Sequence, residues 1–560
     1  MTRRLTTGWS LPFVLAVYAA ALSWIAWQAL GLNDGVFTYA QDDPYIHLSI
    51  ARTLALHGVW GISPDEFAGA SSSPLWTVTL AALMRLTGPV LWWPLVLNIL
   101  AGAALLVFVH RQLGAELSEH ARATALLIFM FVLPLPTLVF IGMEHTAHVL
   151  VVLALAAGAA RRLADDASPD GLWPAGLILA ALAAGLRYEG LFVVAVVGAL
   201  ALLRRRPLMA ISLVAAAAVP VVLYAAYSVS NGSWLLPNSI MIKSGAERFG
   251  SGSGLLSILT SWIGVFSIYQ RPAQLALLLG AAALTALGAG PGRSPWRVTH
   301  VLAGIFAGTE LLHVCLVRLE WFYRYESYVV ALGTLAIIKA SFDLCASGRL
   351  SWGPSDPLVL RIAVGTVAVA LCLPLAGRAA LSFARTPLAC SEIYRQQYQM
   401  ARFLSGAYAG DSIAINDIGA VSWMSPVRIL DLIGLASTEI TAARRAGLVD
   451  AGFMGELAAR HGVTAAVIYE SHFRAVRELP PAWVKVAEWS MPSAIAVHRE
   501  TVAFFAPDEA RATRLREALD AYASGLPAGV TYVPEGGADR ITGGMQAGSA
   551  GLRTTTGWRR

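Results

Sequence analysis

The run WSLPFVLAVYAAALSWIAWQALG (9–31), followed by DDPYIHLSIARTLALHG (42–58), decides the fold class of this chain. The first segment is uncharged and long enough to cross about 30 Å of hydrocarbon. Two arginines precede it, as in a signal peptide, but no clear small-x-small cleavage site follows it. We therefore interpret it as a retained first span. This places the adjacent carboxylates Asp42 and Asp43 just beyond the membrane.

The composition of the whole chain agrees with a membrane protein. Of its 560 residues, 56% are hydrophobic and 14% are charged, whereas soluble domains carry about 25% charged residues. A fully soluble, disordered or fibrous protein is excluded, because there is too little charge to cover it. The net charge of +6 comes from arginines at the ends of apolar runs, which indicates membrane topology and no nucleic-acid partner. Four cysteines without a CxxC pair give no zinc or disulfide framework.

Eleven apolar stretches are predicted as spans. They fall near 9–31, 91–110, 122–142, 146–161, 172–186, 189–203, 208–228, 273–290, 298–317, 326–346 and 358–377. With a cytoplasmic N-terminus, these spans place every basic cluster between them on the cytoplasmic side, as the positive-inside rule requires. An odd number of spans leaves the chain after about residue 378 outside. Two shorter segments, 74–87 and 255–269, are interpreted as helices that lie on the outer side without crossing.

The predicted fold is a polytopic α-helical membrane protein with about eleven transmembrane helices and a C-terminal extracytoplasmic α/β domain. The membrane domain covers 1–380 and contains a first outer loop at 32–90. The α/β domain covers 381–535, and a Gly-, Ser- and Thr-rich tail at 536–560 is predicted to be disordered. Within the α/β domain, the pattern predicts helices at 393–407, 448–461 and 509–524 and strands at 412–417, 427–432, 463–470, 483–489 and 494–500.

The carboxylate pair has both a structural and a catalytic interpretation. Pro44 is favoured at the first position of a helix, so Asp43 is expected to cap the helix that follows. Asp42 has no such structural role. The pair lies near the lipid headgroups, with His47 one helical turn past Asp43, and a carboxyl group in that setting can have a raised pKa and act as a base.

Other predicted outer turns carry polar side chains in unusual number for such short segments. They include Glu144, His145 and His148, then Arg187, Tyr188 and Glu189, then Asn238 and Lys243, and finally Arg318, Glu320, Tyr323, Arg324, Tyr325 and Glu326. Singly, each is typical of an interfacial anchor. Together, on separate turns at one membrane boundary, they indicate a shared cavity. Arginine, lysine and tyrosine hydroxyl groups there suit a lipid-linked phosphate.

These segments resemble a known family. The order DDPYIHLSIARTLALHG, SSSPLWT, GMEHT, RYEG, LLPNSIMIKSG and NDIGAVSW is similar to that of the GT-C superfamily of polytopic membrane glycosyltransferases. Within it, the nearest likeness is to the branch of the mycobacterial terminal arabinofuranosyltransferase. The resemblance extends over most of residues 1–440.

The resemblance implies transfer of a sugar, with arabinofuranose as the candidate, from a polyprenyl-phosphate donor to a glycan or glycolipid acceptor. The reaction would occur on the outer face of a bacterial plasma membrane, with inversion. The implied site residues are Asp42 and Asp43 for catalysis, Arg187, Lys243, Arg324, Tyr325 and His145 for the donor phosphate, and His47, Glu144, Tyr188, Glu189, Asn238 and Trp76 for the substrates. Asp42 would be the base, and Asp43 either a cap or a second acid.

Several alternatives stay open at this point. A divalent metal at the carboxylate pair is one, although adjacent carboxylates alone are a weak metal signal and no cofactor is otherwise indicated. Asp417, in the NDIG segment after a predicted strand, belongs either to a binding loop or, as we favour, to a simple turn. The whole chain could instead be a transporter or flippase of a lipid-linked sugar, or a non-catalytic cell-envelope assembly protein. A transporter should show internal repeats, which the sequence lacks.

Overall fold

The structure is a computed structural model that describes residues 8–114, 117–243, 272–289, 294–317, 322–349, 358–536 and 541–542, with the backbone alone at 243, 358–365, 541 and 542. Its helices as far as the C-terminal domain are α1 (Ser10–Leu32), α2 (Asp43–His57), α3 (Pro74–Thr87), α4 (Trp93–Gln112), α5 (Glu119–Val132), α6 (Leu135–Ile141), α7 (His145–Ala164), α8 (Pro174–Leu186), α9 (Gly190–Leu203), α10 (Pro207–Ser230), α11 (Asn238–Lys243), α12 (Pro272–Gly288), α13 (Val298–Leu316), α14 (Ser327–Ala346) and α15 (Leu358–Ile393).

The helical membrane fold is confirmed. Within the described residues, seven helices are long and apolar enough to cross a membrane, and α5 with α6 forms an eighth candidate bent by 40°. The other predicted spans contain α8, α9 and α12, which are apolar but shorter. The 13 residues of α8 extend about 20 Å at 1.5 Å per residue, less than the hydrocarbon thickness. The predicted segment 255–269 lies outside the described residues.

The first outer loop contains α2 and α3. Pro44 stands in the first turn of α2, and Gly58 ends the helix in the left-handed conformation at φ 72°, which glycine adopts without a steric penalty. Helix α3 is a 14-residue helix that packs against α2 and against α8. The loop is therefore built on the membrane helices, with α2 placed between α3 and the C-terminal domain.

A long helix connects the two parts of the chain. Helix α15 continues without interruption into a π-helix at Tyr394–Tyr398 and then into α16 (Gln399–Ala407). The predicted domain boundary at 380/381 falls inside this continuous helix. Sequence patterns separated a span from an amphipathic helix because the apolar composition ends there, but the backbone hydrogen bonds continue. The C-terminal domain is thereby joined to the last membrane helix by continuous helical backbone.

The C-terminal domain contains one seven-stranded sheet in the order β2-β1-β3-β5-β4-β6-β7. Strands β2, β1 and β3 are parallel and the remaining pairings are antiparallel. The elements are β1 (Ser412–Ile415), α17 (Gly419–Met424), β2 (Arg428–Asp431), α18 (Thr438–Arg445), α19 (Ala451–Arg460), β3 (Val463–Ile468), α20 (Glu470–Ala475), β4 (Val484–Ser490), β5 (Thr501–Ala506), α21 (Glu509–Ala523), β6 (Thr531–Pro534) and β7 (Ile541–Thr542).

The predicted strand at 494–500 is wrong, and the neighbouring strand β5 was missed. The backbone amides of Ile495 and Ala496 donate hydrogen bonds to the carboxylate of Glu392 at the end of α15. Those amides are therefore unavailable to a strand ladder. The strand is formed by the next six residues, of which five are buried.

Helix α2 and the C-terminal domain share one hydrophobic core. Ile46 and Ile50 of α2 are buried in the same cluster as Phe403, Ile413 and Trp489 of the domain. Burial of side chains of this size contributes about 1.5–3 kcal/mol each. The domain is thus fixed over the first outer loop, directly beside Asp42.

Candidate active site

Asp42 lies in the turn between α1 and α2, and its carboxylate is held by the C-terminal domain. The oxygen Oδ2 accepts a hydrogen bond from the backbone amide of Gly419 at 2.6 Å, and Oδ1 accepts one from the amide of Ala420 at 2.7 Å. These amides begin helix α17, where N–H groups lack partners inside the helix. Asp42 thus has a structural partner in the C-terminal domain, which the local sequence pattern did not indicate.

Burial raises the pKa of Asp42 to about 8, and the negative charge of Asp417 adds to this effect. The amides of Gly419 and Ala420 act in the opposite direction because they stabilise the ionised carboxylate, but they do not cancel the cost of desolvation. A base whose pKa is near the working pH combines a usable ionised fraction with strong proton affinity. A pKa raised in this direction is compatible with a general base.

Contrary to the expectation from the sequence, Asp43 does not cap α2. The helix begins at Asp43 itself, and the structure places Asp42 at the cap position without a side-chain hydrogen bond to the helix. The carboxylate of Asp43 instead lies 2.6 Å from the guanidinium of Arg324, whose side chain is 2% exposed. A buried guanidinium is a stronger partner than a backbone amide because it carries a full charge. The two adjacent acids thus have different partners.

Arg187 and Arg324 both lie close to the ring of one tyrosine. The guanidinium carbon of Arg187 is 5.7 Å from the ring centre of Tyr325, and that of Arg324 is 4.9 Å away. Arg187 also forms ion pairs at 2.6 Å with Glu144 and with Glu189. The structure therefore brings together a set of cations and carboxylates from turns that are far apart in the sequence.

Several polar atoms in this set are buried without a hydrogen-bond partner among the described residues. They are Nε of Arg187, Nε of Arg324, both ring nitrogens of His145 and of His148, and the hydroxyl of Tyr188. Most buried polar groups in folded proteins are hydrogen-bonded, and one left unsatisfied costs about 1–3 kcal/mol. Such a concentration of unpaired polar atoms beside two guanidinium groups is the pattern expected of a ligand site.

The remaining predicted residues have varied surroundings. His47 is buried and contacts Thr77 and Ser71 through Nδ1, at 3.0 and 3.3 Å. Trp76 is buried with its indole nitrogen unpaired among the described residues, as is the amide of Asn238, which packs against Gly69. Glu326 forms an ion pair with Arg378 at 2.7 Å, and the guanidinium of Arg378 lies over the ring of Tyr323. Lys243 ends α11 with its side chain outside the described residues, as are Arg318 and Glu320.

The sequence interpretation missed a polar network that comes from the C-terminal domain. Asp417 follows β1, Tyr469 follows β3, and Gln397 lies in the π-helix. The amide of Gln397 donates to the carboxylate of Asp417 at 2.8 Å, and the hydroxyl of Tyr469 donates to the same oxygen. The NDIG segment is therefore more than the simple turn that the sequence favoured. The signal available in the sequence was the position of Asp417 directly after a strand, because open sheets bind ligands at the carboxyl ends of adjacent parallel strands.

Two other polar residues of the domain support loops. Asn416 accepts a hydrogen bond from the amide of Tyr469 at 2.9 Å, which joins the ends of β1 and β3. Asp431 accepts hydrogen bonds from the amides of Ile433 and Ala436 at 2.9 and 2.6 Å. Burial raises the pKa of Asp431 to about 6. These residues shape the edge of the sheet that faces Asp42. Over the described residues, no group of three or more metal-ligating side chains is found.

Comparison with known proteins gives one domain match and several structural likenesses. The family model described as Domain of unknown function (DUF8728) matches residues 391–505, which contain Asp417, Gly419 and Tyr469. No curated protein matches the chain. Two crystal structures of ArnT from Cupriavidus metallidurans, one bound to undecaprenyl phosphate and one in the apo state, each give a TM-score of 0.48.

Those ArnT structures are 13% and 14% identical to this chain, and each alignment covers 90% of this chain and 99% of theirs. The archaeal oligosaccharyltransferase AglB from Archaeoglobus fulgidus, in complex with an inhibitory peptide and a dolichol-phosphate, gives a TM-score of 0.43 at 13% identity, with 90% of this chain and 77% of AglB covered. Likenesses at these values carry no argument about function, which is argued below from this chain's own site.

Proposed function

We propose that this protein is a glycosyltransferase of the GT-C type, which transfers a sugar from a polyprenyl-phosphate donor to a glycan or lipid acceptor at the membrane surface. One observation carries the proposal. A buried carboxyl group with a raised pKa, Asp42, is adjacent in sequence to an acid that is ion-paired with Arg324, at the boundary of the membrane helices. A proton acceptor and a phosphate-binding cation are the two groups that this reaction requires.

In the proposed reaction, the acceptor hydroxyl oxygen attacks the anomeric carbon of the sugar. The bond between that carbon and the phosphate oxygen breaks, and its electron pair leaves with the polyprenyl phosphate. Asp42 takes the proton of the hydroxyl group. One carboxylate is enough for this single displacement, which inverts the anomeric configuration.

Arg324 and Arg187 would bind the phosphate. Each guanidinium has an Nε–H that is buried and without an acceptor among the described residues. The negative charges of Asp43, Glu144 and Glu189 hold the two guanidinium groups in place, and they also compete with the phosphate for them. Release of the spent lipid phosphate would be aided by this competition, because the carboxylates replace it.

The finer features of the proposal are supported by motif resemblance and charge distribution. The resemblance favours arabinofuranose as the sugar, and Asp43, His47, Asn238 and Trp76 as contributors to substrate binding. Lys243 would be a further phosphate ligand. The positive-inside pattern favours a cytoplasmic N-terminus, with the site and the C-terminal domain outside the plasma membrane of a bacterium.

The experiment that tests the proposal compares Asp42→Asn with wild type. Purified protein is incubated with undecaprenyl-phosphate pentose and hexose donors, and products are identified by mass spectrometry. Loss of a general base is expected to lower the transfer rate by about 10²–10⁴-fold. Asp65→Asn, at an exposed position of the same loop, is the matched control and should transfer at the wild-type rate. Thermal unfolding of each variant shows whether it is folded. Unchanged transfer by a folded Asp42→Asn would overturn the proposal and favour a transporter or an assembly protein.

A further inference from the structure

A second charged region lies at the opposite ends of the helices that form the candidate active site. Helix α7 begins with His145 at that site and carries Arg161 sixteen residues later, which is about 24 Å along the helix axis. Helix α14 begins beside Arg324 and carries Lys339 and Asp343 near its other end. The second region is therefore across the membrane from Asp42.

This region encloses a cavity of about 410 Å³. Its charged lining residues come from three helices and consist of Arg161, Arg297, Lys339 and Asp343, and Gln112, Val298 and Thr299 are among its other lining residues. Small-molecule sites in proteins are of about 300–1,000 Å³. The cavity thus has room for a charged headgroup and is lined by more positive than negative side chains.

The arginine contacts leave positive charge at the cavity wall. Arg161 donates a hydrogen bond at 2.7 Å to the side-chain oxygen of Gln112, which is a neutral partner. Arg297 lies 3.7 Å from Asp343, a loose ion pair with both side chains partly exposed. Lys339 donates to the backbone carbonyl of Gln112 at 2.7 Å. Gln112 therefore positions a guanidinium and an ammonium group side by side.

The start of α13 adds to this positive potential. Arg297 occupies the cap position of the helix without a side-chain hydrogen bond to the first turn. Val298 and Thr299, the first two residues of the helix, line the cavity. The N-terminus of a helix of this length, 19 residues, carries about half a positive charge and attracts anions.

We propose that this cavity binds a phosphate group on the membrane side opposite to Asp42. Two guanidinium groups on neighbouring helices match the paired oxygens of a phosphate ester, and the ammonium group supplies a third donor. The phosphate is carried either by the headgroup of an anionic lipid in that leaflet or by a soluble ion. Basic pockets between membrane helices bind lipid headgroups by this chemistry. The proposal is independent of sugar transfer, because it uses different residues at the other membrane surface.

Binding is tested on the full-length protein in detergent by thermal shift and native mass spectrometry. The probes are inorganic phosphate, dihexanoyl phosphatidylglycerol and, as a zwitterionic comparison, dihexanoyl phosphatidylcholine. Saturable binding of either anionic probe is expected. Arg161→Gln and Arg297→Gln should each weaken it about fivefold. Arg111→Gln, which removes the same charge from an exposed position beside Gln112, should leave it unchanged. Arg161→Lys, which keeps the charge but loses the paired donors, should weaken it less than Arg161→Gln does.

The outcomes distinguish a lipid phosphate from a soluble one, and they show whether the cavity binds phosphate at all. Binding of phosphatidylglycerol alone supports a lipid headgroup, and binding of inorganic phosphate as well supports a soluble ion. Absence of saturable binding by both anionic probes overturns the proposal. An equal loss in Arg111→Gln also overturns it, because the effect would then come from general surface charge.

Discussion

Asp42 and Asp43 are adjacent in the chain, but they face two different regions of the molecule. Asp42 faces the C-terminal domain, where neutral backbone amides of α17 and the negative charge of Asp417 surround it. Asp43 faces the membrane helices, where Arg324 neutralises it. The comparison shows how one residue type acquires two roles. Burial and the charge of a second acid raise the pKa of Asp42 although the amides act against this, whereas Asp43 forms an ion pair with a guanidinium.

The largest expected effect comes from the contact between Asp42 and the domain. A Cβ atom at position 419 would overlap the backbone carbonyl of Asp42 and lie 2.6 Å from its Oδ2. Gly419→Ala should therefore displace the carboxylate and lower the transfer rate by about a hundredfold. Gly406→Ala is the matched control, since nothing lies within 4 Å of a Cβ there. A Gly419→Ala enzyme as fast as this control would show that the domain does not position Asp42.

Removing the partner of Asp43 should have the next largest effect. Arg324→Gln leaves the acid beside buried helices without its charged donor, and the free energy of unfolding should fall by about 1.5–3 kcal/mol. The additional change Asp43→Asn should restore part of this stability, because no unpaired charge remains. Chemical denaturation of the single and double variants measures the coupling. Purely additive losses would contradict a direct pairing.

The pH dependence tests the environment of Asp42. In the proposed reaction the ionised form of Asp42 accepts the proton, so the transfer rate of the wild-type protein should rise with pH and level off above about pH 8. The negative charge of Asp417 contributes to the raised pKa of Asp42, and Asp417→Asn should therefore lower this pKa and move the rise in transfer rate to lower pH. An unchanged pH dependence in a folded, active Asp417→Asn variant would show that Asp417 does not influence the pKa of Asp42.

The same shift has a consequence for stability. Because the pKa of Asp42 is raised on folding, the ionised form is disfavoured in the folded state. The contribution of this group to stability is therefore present below about pH 4 and is lost as the pH rises towards 8.

The smallest effect is expected at the outer edge of this network. Tyr469→Phe removes the hydroxyl that donates to Asp417, a neutral-donor hydrogen bond to a carboxylate. We expect a loss of about 1 kcal/mol in stability. The pH dependence of the transfer rate should shift less than in Asp417→Asn. Tyr522→Phe, at a tyrosine that bonds Gln399 elsewhere in the domain, is the control, and it should leave the pH profile unchanged.

Much of the candidate site was predictable because its residues are local exceptions in apolar surroundings. Arg187, Arg324 and Glu144 stand at the ends of hydrophobic helices, where a polar residue is conspicuous. Their pairings were not predictable, since no spacing rule specifies which guanidinium meets which carboxylate. Asp417 was undervalued for a related reason. It is 375 positions from Asp42, and its surroundings look like an ordinary turn in a domain of mixed composition.

The sequence by itself determined a helical membrane protein with a C-terminal α/β domain. Hydrophobic length and periodicity are local properties, and they decide directly which segments prefer lipid and which faces are buried. It also determined that two acids stand at the end of the first span. Only the tertiary structure decided that the pKa of Asp42 is raised and that Asp43 pairs with Arg324. The pKa of Asp42 depends on desolvation and on charges from distant segments, which act through space and cannot be inferred from the spacing of residues.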